Sequence, residues 1–91
     1  MALFKITRTN KEVFGKEKFH TRPRADRPIT DEYLEKMTPK MTHFFRCLDD
    51  DGTPYFYGVC SSENFAPLDC VGEAYGCTTI QYLNNGIYET L

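Results

Sequence analysis

The sequence predicts a small α+β fold, an antiparallel sheet of four or five strands with one short helix, and three observations carry that prediction. Asn85 and Gly86 separate two extended segments near the carboxyl end, and Asn-Gly is the strongest short-range signal for a type I′ hairpin turn. Two ring-rich runs, His43 to Leu48 and Tyr55 to Cys60, flank a turn sequence of three aspartates and a glycine. Between them and the amino terminus, the residues after Pro28 carry the punctuation of a capped helix.

Size sets the frame for these elements. A chain of 91 residues supports one hydrophobic core, so residues 1–91 are expected to form a single domain. Hydrophobic residues are 41% of the chain and aromatics 14%, too rich a supply for a disordered segment. Seven Phe and six Tyr, with no Trp, are the material from which so small a core offsets chain entropy.

Taken in order, Ala2, Phe4 and Ile6 alternate with Leu3, Lys5 and Thr7, which predicts a strand over about residues 2–8. Asn10 and Lys11 read as a turn, with Val13 to His20 returning as a second strand whose register stays open between two loop lengths. Thr21 to Pro28 is a loop, because two prolines bracket its charges. Thr30 then caps a helix near 31–37: Asp31 and Glu32 suit its first turn, Ile29 and Leu34 form a hydrophobic staple, and Pro39 ends it. A hairpin near 43–60 follows, and pairing about Asp51 and Gly52 puts Phe45 and Cys47 on one face with Phe56, Gly58 and Cys60. Ser61 to Gly76 shows no sustained period and is read as an irregular connection. The last element is a hairpin over 78–91.

Charge is unevenly placed along this chain. Residues 1–28 hold eight basic side chains against three acidic ones, a net of +5, while residues 29–91 hold three against ten, a net of −7. The basic end offers Lys16, Lys18, Arg22, Arg24 and Arg27 to phosphates or to an acidic protein, with Phe14, Phe19 and His20 placed for base stacking. An overall pI near 5.6 argues against a dedicated nucleic-acid binder, and mutual neutralisation of the two halves is the plainer reading. No apolar run reaches the length of a secretion signal or a membrane span, so the expected location is the cytoplasm.

No complete catalytic, cofactor or metal motif is present. Cys47, Cys60, Cys70 and Cys77 lack the close pairs that structural zinc sites use, and in a reducing compartment they are expected to stay thiols. A thiol- or metal-dependent reading would use Cys47, Cys60 and His43, since His43 falls opposite Cys60 in the central hairpin. Asp49, Asp50 and Asp51 lack the alternation of a calcium loop and are read as turn residues.

The remaining signal is a strand apolar on both faces. Tyr55, Tyr57 and Val59 alternate with Phe56, so the tyrosine side is either covered by the 61–76 stretch through Phe65 and Leu68 or left open to a partner. The leading expectation is a non-enzymatic interaction module that binds a protein or a second copy of itself through Tyr55 and Tyr57. A nucleic-acid accessory protein using the basic segment is the first alternative, and a thiol or metal protein the second.

Overall fold

The computed structural model describes residues 3–16, 24–25, 32, 36 and 38–91. Its sheet is antiparallel, in the order β2, β1, β4, β3, β5, β6, where β1 is Leu3–Thr9, β2 Arg24–Ala25, β3 His43–Asp49, β4 Pro54–Cys60, β5 Cys77–Asn84 and β6 Ile87–Thr90. Fully within the described residues lie two α-helices, α1 over Lys11–Phe14 and α2 over Ala66–Tyr75. The α+β class, the strand at the amino end and both later hairpins are as the sequence predicts. The expected helix near 31–37 falls largely outside the described residues, of which Glu32 and Lys36 are helical and exposed. Thr38–Lys40 forms a single 3-10 turn at Pro39.

The terminal reversal follows from its two residues. Asn85 has φ 53° and Gly86 φ 81°, two consecutive left-handed residues that a type I′ turn demands, and the strands on either side pair Asn84 with Ile87 and Gln81 with Thr90. In the central hairpin His43 pairs with Cys60, Phe45 with Gly58 and Cys47 with Phe56, the register set by pairing about Asp51 and Gly52. Asp49 Oδ1 accepts the Asp51 and Thr53 backbone N–H groups, so the first aspartate builds the turn.

Two stretches differ from expectation. Val13 and Phe14 belong to a one-turn helix, not a returning strand, because Asn10 caps it: its Oδ1 accepts the Glu12 N–H while its Nδ2 and N–H donate to the Pro54 and Tyr55 carbonyls of β4. The supposed irregular connection contains α2. Asn64 Oδ1 accepts the Ala66 N–H at its start, a proline occupies its first turn, and Gly76 at φ 76° closes it with a left-handed residue whose N–H donates to the Gly72 carbonyl. Leu68, Val71 and Gly72 then form its inward stripe.

The core lies between the sheet and α2. Phe4, Ile6, Phe45, Cys47, Phe56, Cys60, Ile80 and Tyr82 rise from one face of the strands and meet Val71 of α2. Phe45 sits edge-on to Phe4 at 6.4 Å and tilted to Tyr82 at 6.1 Å, so three strands are bridged by contiguous rings. Both edge strands are short, which limits the open backbone offered at each side.

Candidate functional site

Because α2 covers the core face, the opposite face of the sheet carries the other residues of each strand. From β1 these are Leu3, Lys5 and Arg8, from β4 Tyr57 and Val59, from β3 Phe44, Arg46 and Leu48, and from β5 and β6 Thr79, Gln81, Leu83, Tyr88 and Thr90, with Leu3 and Leu48 buried and Phe44 exposed. Register aligns one row across five strands, in which Arg8 faces Tyr57, Tyr57 faces Arg46, Arg46 faces Gln81 and Gln81 faces Thr90. A second row pairs Lys5 with Val59 and Val59 with Phe44. Phe44 remains 56% exposed although it stands on a strand flanked by partners on both sides.

The cations of this face are held in place by its rings. The Arg8 guanidinium carbon lies 3.9 Å from the Tyr57 ring centre, and that of Arg46 lies 4.0 Å from the centre of Tyr88. Arg46 Nε donates to Gln81 Oε1 at 2.8 Å, and Gln81 Nε2 donates to Thr90 Oγ1 at 3.1 Å. Arg46 is thus fixed by a stacked ring beneath and a relay of side chains beside it, which removes much of the rotamer freedom an arginine loses on binding. Among the described residues, the side chains of this face carry three positive charges and no carboxylate.

Tyr55 does not share this face with Tyr57. The ladder between β3 and β4 shifts between Cys47 and Leu48, so Tyr55 is the extra residue of a bulge, and a bulge turns a side chain away from its expected side. Its ring packs on Phe14 at 5.9 Å, in a cluster where Phe14 also meets Phe56 and Tyr75. Partial withdrawal from water, with the Asp49 carboxylate beside it, raises its phenol above the ordinary range. Of the two alternatives for the tyrosine side, cover by Phe65 and Leu68 is not what forms: Leu68 packs against the core on the other side of the sheet, and Phe65 is exposed.

The other candidates are dispersed. Lys16 is exposed after α1, and Arg24 lies in β2. Lys18, Arg22 and Arg27 lie outside the described residues. Cys47, Cys60 and Cys77 are buried thiols and Cys70 is exposed. Burial pushes the Cys47 thiol from 9.0 up to about 12, which keeps it protonated near neutral pH and unsuited to nucleophilic attack. His43 does stand opposite Cys60, but the polar groups beside that sulfur include Asn64, whose Nδ2 approaches it at 3.5 Å, and the Tyr82 hydroxyl. Asp49, Asp50 and Asp51 come together, and Asp49 is already engaged by the turn N–H groups.

Arg8, Phe44, Arg46 and Tyr88 were missed by reading the sequence. Phe44 and Arg46 were within reach, since they alternate with the core residues Phe45 and Cys47 and the hairpin register places Arg46 opposite Tyr57. Arg8 and Tyr88 reach the face through pairings with distant strands, for which the sequence holds no local signal. No family model matches the chain, and neither a curated protein nor a solved structure is significantly similar to it.

Proposed function

We propose that the chain is a non-enzymatic interaction module that docks a protein partner on the sheet face around Phe44, Val59, Tyr57 and Arg46. The observation that carries this reading is the exposed Phe44 ring beside Val59 on interior strands, bordered by arginines already ordered on tyrosines. Aromatic and arginine side chains at the centre of a patch are the composition of protein interfaces, and a pre-ordered arginine loses less entropy on association. Among the described residues no helix is long and apolar enough to cross a membrane. The reading carries an expectation of a reducing compartment, the cytoplasm, where Cys47, Cys60 and Cys77 stay thiols.

Site-specific photo-crosslinking in cells tests it. A benzophenone amino acid at position 44 is expected to give discrete adducts, whereas the same group at position 69, exposed on α2, gives none of them. An adduct of twice the chain mass identifies the partner as a second copy. Identical adducts from both positions, or none from position 44, would remove this face as the docking surface.

A further inference from the structure

A docking face can be neutral or can demand a particular charge, and here Arg46 decides between them. Its Nε is taken by Gln81 and its plane lies over Tyr88, yet among the described residues neither terminal nitrogen has a hydrogen-bond acceptor. The side chain is half-buried on a strand in the middle of the sheet, and Lys5, a further cation of the same face, has no hydrogen-bond or ion-pair partner among the described residues. Donors held rigid and without a protein acceptor among the described residues are poised for an anion from outside, and a guanidinium offers a carboxylate two parallel N–H bonds.

We infer that the partner is an acidic protein segment that seats a carboxylate on Arg46 and an apolar side chain on Phe44 and Val59. This rests on the docking reading above. Phe44 and Arg46 are two residues apart on one strand and therefore about 7 Å apart on one face, which is the spacing of residues i and i+2 in an extended peptide. The complementary segment is an extended one with an aliphatic residue two positions from Asp or Glu.

The same cations would attract a nucleic acid, but the rings decide against it. Base stacking needs a free aromatic face, and Tyr57 and Tyr88 each have a guanidinium over the ring. Phe44 is left as a single platform, and the chain's net charge of −2 opposes a polyanion more than a short acidic peptide.

The test is a titration of the isotope-labelled full chain, followed by NMR, with a synthetic peptide repeating Leu-Ser-Glu-Ser. Saturable shifts are expected at Phe44, Val59 and the Arg46 side-chain N–H. Replacing every glutamate of the peptide by glutamine is expected to weaken binding by at least about tenfold, as is Arg46→Gln in the chain. Arg46→Lys keeps the charge without the fork and should recover only part of the loss, while Lys5→Gln gives a smaller loss and leaves the stacked arginines in place. Equal binding of the glutamine peptide at the same residues would overturn the carboxylate requirement and leave the docking reading standing. An acidic peptide that moves no resonance of this face would overturn the inference, and crosslinking at position 44 would then decide the docking reading separately. Tighter binding of an oligothymidylate at Phe44 and Arg46 would overturn it in favour of a single-stranded nucleic acid.

Discussion

Gly58 is where a single side chain's absence matters most. It faces Phe45 across the ladder, and a Cβ built there would run into the Phe45 ring and the Lys5 carbonyl oxygen of β1. The missing side chain leaves the space over Gly58 to the Phe45 ring, which reaches both Phe4 and Tyr82. Gly58→Ala is expected to lower stability by about 3 kcal/mol, the upper part of the range for overpacked cores, since one obstacle is backbone and cannot swing away. Urea unfolding that shows a loss below about 0.5 kcal/mol would mean that Phe45 has another rotamer open to it.

At the scale of elements, α2 is held by a small polar lock as well as by its apolar stripe. The Tyr82 hydroxyl donates to the Asn64 carbonyl at 2.6 Å and accepts the Asn64 N–H at 3.1 Å, while Asn64 Oδ1 starts the helix at Ala66. Strand β5 therefore fixes the point at which α2 begins, and the Gly72 backbone can then approach the Cys77 carbonyl, where a Cβ would lie at 2.8 Å. Tyr82→Phe leaves both Asn64 groups without this partner and is expected to cost about 1–3 kcal/mol. Amide hydrogen exchange should speed up in residues 66–75 of that variant more than in β3 and β4. Uniform acceleration across the sheet would show that the lock stabilises the whole core and not the helix alone.

For the whole molecule, the buried thiols of Cys47 and Cys77 make stability sensitive to alkali. Burial raises Cys47 from 9.0 to about 12 and Cys77 from 9.0 to about 11, and it raises the Tyr82 phenol as well. The folded chain therefore keeps protons that the unfolded chain gives up. The contribution of Cys47 is complete below about pH 9 and is lost as pH rises towards about 12, at up to about 1.4 kcal/mol per pH unit. Urea midpoints are expected to be level between about pH 7 and about pH 8.5 and to fall above that, less steeply in Cys47→Val. A wild-type midpoint flat to about pH 11 would contradict the burial of these thiols in the folded state.

What was legible in the sequence was local. Asn85 and Gly86 set their own turn because few other residues accept two left-handed conformations in succession, and Asp49 to Thr53 closes the central hairpin through hydrogen bonds that span four residues. Once those turns are in place, the period of two assigns Phe45 and Cys47 to the core and Arg46 to the other face. Helix α2 also has local signals, Pro67 in its first turn and Gly76 at its stop, although the stretch shows no sustained period. Tertiary structure alone decided that β1 lies beside β4 and β3 beside β5, and it placed a bulge at Thr7 and another at Tyr55, the second of which separates Tyr55 from Tyr57. Alternation tells a strand which side to bury but not which strand to join, because that choice depends on how whole faces pack, and the row from Arg8 to Thr90 exists only after five strands have made it.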